Sequence, residues 1–233
     1  MSFLSDINYK FVQTIKLSTP TTWKWNLAQA LELRWWKRYL KDKDRNHYLQ
    51  WKASYWDQLL FDIEKYIELP EHFVLLDAGC GPAGIFICLK RNQVTAIDPL
   101  MEKYIENDLL QPEHYPWVQF EQCKIEDIDF KEKFDYIFCL NAINHVKDLE
   151  KSYDALVNAL KPGGTLILST DAHKHSFLKK LFQIIPGDLL HPVQLNIEEY
   201  NAHLTKRKLE IVKNILYKEE SIFDYYITIA KKQ

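Results

Sequence analysis

From Pro70 onward the chain keeps repeating one short unit, and that unit leaves few folds open. "FVLLDAG", "QVTAID", "WVQFEQC", "FDYIFCLN" and "TLILST" are strand-length runs rich in apolar residues. Between them, "AGIFICLKR", "LMEKYIEND" and "DLEKSYDALVNAL" read as helices, the last with Leu149, Tyr153, Leu156, Val157 and Leu160 on one face. Apolar strands separated by helices belong in a parallel sheet covered on both sides. The end breaks the rhythm. "KPGG" turns into the fifth strand, and "LEIVKNILY" and "FDYYITIAK" then follow each other too closely for a helical crossover. They are expected as an antiparallel pair at the sheet edge. The expected fold is α/β: a doubly wound seven-stranded sheet, mostly parallel, with an antiparallel C-terminal edge pair.

Upstream the texture differs. No proline falls between Pro20 and Pro70, and Trp25, Leu27, Leu31, Leu33, Trp36, Tyr39 and Leu40 recur at helical spacing. A second helix is expected from Tyr48 to Ile67, with Trp51, Tyr55, Leu59, Ile63 and Tyr66 as its stripe. Six of the seven tryptophans lie between Trp23 and Trp56. Residues 1–69 are therefore read as an N-terminal helical lid or extension and residues 70–233 as the ligand-binding domain. The tryptophans, interleaved with Arg34, Lys37, Arg38, Lys41, Lys43 and Arg45, admit four roles. They could pack on the sheet domain, shape a pocket as a lid, touch a membrane interface or stack on nucleobases. A formal net charge of −2 gives no field that would attract nucleic acid or an anionic surface. Four cysteines without C-x-x-C spacing point to a reducing, cytoplasmic compartment. The N-terminus does not read as a signal peptide, and no apolar stretch reaches the roughly 20 residues of a membrane span.

The turn after the first strand, "VLLDAGCGPAGIF", carries glycines at Gly79, Gly81 and Gly84 in G-x-G-x-x-G spacing. Bare glycines let backbone N–H groups approach a ligand, and a following helix would add its positive N-terminus. Asp98 ends the second strand, where a carboxylate can accept from ribose hydroxyls. Two ligand classes share these features, the dinucleotides and the nucleoside sulfonium cofactors. Asp77, two residues before Gly79, adds a charge that would crowd a pyrophosphate and suits an ammonium and a sulfonium. "FDYIFCLNAINHV" places Asn141 at the end of the fourth strand with His145 after it, and "LKPGGTLIL" leads into the fifth.

Together these stretches, from about Phe73 to the C-terminus, resemble the class I S-adenosylmethionine-dependent methyltransferases. The likeness lies closest to the small-molecule branch that includes the quinone-biosynthesis enzymes. The resemblance implies a Rossmann-like fold, S-adenosylmethionine as cofactor and methyl transfer to oxygen, nitrogen or carbon of a small molecule. It implies that Asp77, Ala78, Gly79, Cys80 and Gly81 form the methionine end of the site. Asp98 would hold the ribose, Pro99 and Leu100 would flank the adenine, Ile125 and Glu126 would meet its edge, and Asn141 would sit beside the methyl. Lys124 stands where relatives often carry an aspartate, and Ala83 where many carry a glycine. His145 is the candidate base, and Trp56 and His191 are candidate acceptor contacts. Asp171, His173 and His175 lack a second convincing ligand group, so no metal is expected. "NAIN" replaces the asparagine-proline-proline-aromatic motif of DNA amino methyltransferases, and no nucleic-acid partner is expected. An NAD-dependent oxidoreductase and a non-catalytic cofactor-binding scaffold are the competing functions. Asp98→Ala is expected to weaken cofactor binding with the fold intact.

Overall fold

The computed structural model describes residues 22–173, 195–219 and 223–233. The apolar runs form β1 (Val74–Ala78), β2 (Gln93–Asp98), β3 (Val118–Gln122), β4 (Phe134–Cys139), β5 (Leu160–His173), β6 (Leu209–Glu219) and β7 (Phe223–Lys232). They make one sheet in the order β3-β2-β1-β4-β5-β7-β6. Strands β1 to β5 pair in parallel, and β7 pairs antiparallel with β5 and β6, as expected. The helices are α1 (Thr22–Leu40), α2 (Arg45–Ile63), α3 (Met101–Glu106), α4 (Leu149–Ala159) and α5 (Ile197–Thr205).

The pleat sends alternate side chains of each strand to opposite faces. Leu76, Ala78, Ile137, Cys139, Leu166 and Leu168 pack against Tyr153 and Leu156 of α4 and Tyr200 and Leu204 of α5. Leu75, Val94, Phe138, Ile167 and Ile229 pack against Trp56, Leu59 and Ile63 of α2 and Met101 and Tyr104 of α3. Each fully buried side chain of this size contributes about 1.5–3 kcal/mol. Helix starts are marked by acceptor side chains: Asp44 takes the His47 N–H (2.7 Å) and Asp148 the Lys151 N–H (3.0 Å). Asn196 and Glu199 form a reciprocal capping box at α5, with bonds of 2.8 and 2.9 Å.

Three expectations need correction. "AGIFICLKR" is not an α-helix; it forms two short 3-10 turns, Gly81–Ala83 and Ile85–Ile87, separated by an extended Gly84. Ile85 and Phe86 are buried within the core, so the segment has no polar face to turn outward. Its backbone groups are satisfied from elsewhere: the Phe86 N–H donates to Asp77 Oδ2 (3.1 Å), and Trp117 Nε1 donates to the Phe86 carbonyl (3.0 Å). In α2 the buried line runs through Tyr48, Trp56, Leu59 and Ile63, whereas Trp51 and Tyr66 are exposed. A helix this rich in aromatics offers several apolar stripes, and docking on the sheet selects one. Finally, β5 begins at Leu160 and runs on to His173, paired with β7 from Thr165↔Lys231 to His173↔Phe223. The "KPGG" turn is absorbed there, beside an irregularity in register between Phe134 and Tyr136 of β4.

Candidate functional site

β1 lies between β2 and β4, so the crossovers leaving it and its neighbour run in opposite directions. A crevice opens above the carboxyl ends of the strands at such a point. Its floor is tight. Gly79 has φ +74°, and a β-carbon there would lie 2.4 Å from the Ala142 β-carbon in the loop after β4. The turn amides are committed to β2. Gly79 and Cys80 N–H both donate to the Ile97 carbonyl (2.8 and 3.0 Å), and Gly81 N–H donates to Asp98 Oδ2 (3.0 Å). The amides expected to face a ligand therefore anchor the turn, and no α-helix N-terminus follows it.

What the crevice does present is acid. Asp98 is 5 % exposed, and its Oδ1 accepts from the Leu100 N–H (2.8 Å). A carboxylate has about four acceptor sites, so roughly two remain after these bonds. Burial raises the Asp98 carboxyl to about 6, against the pull of its backbone donors. Asp77 is buried beneath Gly84, whose added β-carbon would lie 2.4 Å from Asp77 Oδ2. Burial, then the charge of Asp98, lift Asp77 to about 7. Glu32 of α1 is lifted to about 7 by burial and again by Asp98. The Tyr104 hydroxyl lies beside both Asp98 and Glu32, and burial pushes it up. Lys52 stands near this group: lowered to about 8 by desolvation, it feels the Asp77 charge, and its Nζ sits 4.4 Å from the Trp56 ring centre.

Of the expected site residues, Gly79, Asp98, Pro99, Ile125, Glu126, Asn141 and His145 line this cleft together. Asp77, Ala78, Cys80, Gly81 and Leu100 do not line it; they shape the turn and strand ends that support it. Glu126 Oε1 accepts from the Lys147 and Asp148 N–H groups, which fixes the segment entering α4. Asn141 adopts φ +54°, a conformation asparagine tolerates, and its N–H donates to Ser169 Oγ (2.7 Å). His145 closes a 3-10 turn through its N–H to the Ala142 carbonyl (3.0 Å). Tyr200 of α5 holds the same loop by donating to Asn144 Oδ1 (3.1 Å).

Sequence reasoning missed the wall opposite. Trp25, Gln29 and Glu32 of α1 line the cleft, with Lys124 Nζ 4.3 Å from the Trp25 ring centre. Trp36 lies farther along the same stripe, 3.7 Å from where a Gly81 β-carbon would be. The spacing 25, 29, 32, 36 was the available signal, and its polar members hid it among the apolar positions. Trp56 is 4 % exposed and its indole N–H donates to the Ala83 carbonyl (3.0 Å). It pins α2 to the glycine loop and has no face left for the acceptor contact expected of it. His191 and His175 lie outside the described residues. Among the described residues no three His, Cys, Asp or Glu side chains converge as metal ligands would, and no helix is long and apolar enough to cross a membrane.

Residues 76–168 match the family described as "Methyltransferase domain". The chain is 31 % identical over 164 residues to the ubiquinone biosynthesis O-methyltransferase of Rickettsia prowazekii, a match covering 68 % of this chain and 64 % of that protein. Against the Rickettsia conorii enzyme of the same description, identity is 29 % over 157 residues, covering 61 % and 54 %. The chain thus spans between half and two thirds of the length of these curated relatives. Among solved structures, the N-methyltransferase NodS of Bradyrhizobium japonicum in complex with S-adenosylhomocysteine superposes with a TM-score of 0.62 at 17 % identity, covering 90 % of this chain and 98 % of that one. That likeness speaks to the fold.

Proposed function

Since the chain belongs to the class I S-adenosylmethionine-dependent methyltransferases, distantly related to the ubiquinone biosynthesis O-methyltransferases, we propose that it transfers a methyl group to a small-molecule acceptor. One observation carries this reading. The crevice is lined by Asp98 and Glu32, with Asp77 buried beneath the glycine turn, while the N–H groups of Gly79, Cys80 and Gly81 are already spent. A pyrophosphate would meet these carboxylates with no main-chain N–H of the glycine turn free to offset them, a costly arrangement. A ligand bearing a sulfonium and an ammonium meets opposite charge. The residues therefore fit S-adenosylmethionine better than a dinucleotide.

In this reading Asp98 takes the ribose hydroxyls, and Pro99 and Ile125 enclose the adenine. Asp77 and Lys52 bias the field at the amino-acid end, toward the ammonium and the carboxylate respectively. Asn141 borders the transferred methyl. When bound, the cofactor supplies an electrophilic methyl on a good leaving group. What remains for the protein is alignment and exclusion of water, and orientation alone can contribute about 7–11 kcal/mol. The names of the curated relatives favour a hydroxyl acceptor, for which His145 is the base we assign, since it shares the cleft with Asn141. Residues 1–69 serve as the lid of the domain formed by residues 70–233. Four free cysteines agree with a reducing, cytoplasmic setting. The test is a melting-temperature panel with S-adenosylmethionine, S-adenosylhomocysteine and NADH. A ligand at 100 times its Kd adds about 2.7 kcal/mol of stability. A shift with the first two and none with NADH is expected; a shift with NADH alone would overturn the reading.

A further inference from the structure

The inner stripe of α1 is the least explained part of the cleft. Its residues are not core: Gln29 is only 9 % exposed, yet its Oε1 has no hydrogen-bond partner, and it lines the cleft beside Asp98, Pro99 and Lys124. An amide oxygen left without a partner in such a position is costly, so the geometry asks for a polar group facing it. One helical turn on, Glu32 enters the same cleft close to Asp98. Asp98 has each oxygen already engaged by one backbone N–H, from Leu100 and Gly81. A vicinal diol brings two donors to the roughly two acceptor sites left on Asp98, and Glu32 adds a second carboxylate in the same cleft. Trp25, beside Lys124, supplies a flat ring at the far end of the stripe.

We propose that α1 is a binding element of the nucleoside half of the site: Glu32 shares the ribose diol with Asp98, and Gln29 hydrogen-bonds the nucleoside between that diol and the Trp25 ring. The proposal rests on the cofactor reading above and adds that the N-terminal helix recognises the nucleoside rather than the methyl acceptor. It also carries a pH signature. The groups around Glu32 include Asp98 from β2, Tyr104 from α3 and Trp36 from α1 itself, and Lys124, Glu126 and His145 line the same cleft. Burial and the Asp98 charge favour the acid form of Glu32, whereas a diol donating to both carboxyls favours their ionised forms. Nucleoside affinity therefore rises with pH through the range near 6 to 7.

The experiment is titration calorimetry of the full chain with S-adenosylhomocysteine and with 5′-methylthioadenosine, which lacks the amino-acid end. Wild type, Glu32→Gln, Gln29→Ala and Asp98→Ala are compared at about pH 6 and pH 8. Glu32→Gln and Gln29→Ala are each expected to weaken both ligands about tenfold or more, by the same factor for each. Glu32→Gln should also flatten the pH dependence of binding, without lowering the ligand-free melting temperature. Wild-type affinity in both α1 variants, alongside loss in Asp98→Ala at about pH 8, where its fold is retained, would overturn the proposal and leave the cofactor reading standing. A lowered melting temperature with unchanged affinity of the folded protein overturns it too, because α1 would then be packing only. Failure of the wild type to bind either ligand would remove both readings.

Discussion

Replacing Asp98 by alanine separates the two tasks of this carboxylate. It removes the acceptor of two main-chain N–H groups, those of Gly81 (3.0 Å) and Leu100 (2.8 Å). An unpaired buried donor costs about 1–3 kcal/mol, so the pair costs about 2–6 kcal/mol. The substitution also removes a buried charge. Burial raises the Asp98 carboxyl from 3.8 to about 6, equivalent to about 3 kcal/mol against the ionised fold. A folded-state value above the unfolded one means that the folded chain binds the extra proton. Stability from Asp98 is full below about pH 4 and is lost as pH rises toward 6. Alanine therefore destabilises by the whole of the lost bonds at about pH 4 and by about 3 kcal/mol less at pH 8. Asp77 and Glu32, relieved of the Asp98 charge, move in the same direction. Urea denaturation at both pH values, with and without S-adenosylhomocysteine, reads this directly. The plain expectation of an intact fold is thus met in mild alkali and fails in acid. Equal destabilisation at both pH values would refute the strained charge, and ligand stabilisation retained in the variant would refute the ribose role.

Two further outcomes follow from the same geometry. Gly84→Ala needs no unusual backbone angle, yet its β-carbon would lie 2.4 Å from Asp77 Oδ2 and 2.7 Å from the Cys80 carbonyl. It should lower stability by about 1–3 kcal/mol, measured by denaturant melting, and weaken cofactor binding through displacement of Asp77. Trp56→Phe keeps most of the buried ring but leaves the Ala83 carbonyl without its indole donor. A loss of about 1–3 kcal/mol in thermal melting is expected, with no change in specificity for the acceptor once one is known.

The sheet was legible because its strands announce themselves locally. "QVTAID" and "FDYIFC" are β-branched or aromatic runs bounded by turn residues, and the short gap before "FDYYITIAK" forces an antiparallel return. The carboxylate at the end of β2 and the asparagine just beyond β4 followed from where those strands end. The region after Gly81 was not legible for a physical reason. A run that is apolar on all sides carries no period, and only tertiary bonds from Asp77 and Trp117 decide that it turns rather than coils. Nor does sequence reveal that the Gly79 and Cys80 amides point back to Ile97. The α1 stripe escaped notice because Gln29 and Glu32 look like solvent-facing residues until the helix is docked.

The most direct test of the central claim is a crystal structure of the protein soaked with S-adenosylhomocysteine. Density for the ribose at Asp98, the adenine near Ile125 and the thioether sulfur near Asn141 is the predicted result. A ligand-free crevice beside Gly79 under saturating conditions, or NADH bound there with its pyrophosphate against the glycine turn in competition with S-adenosylhomocysteine, would contradict it.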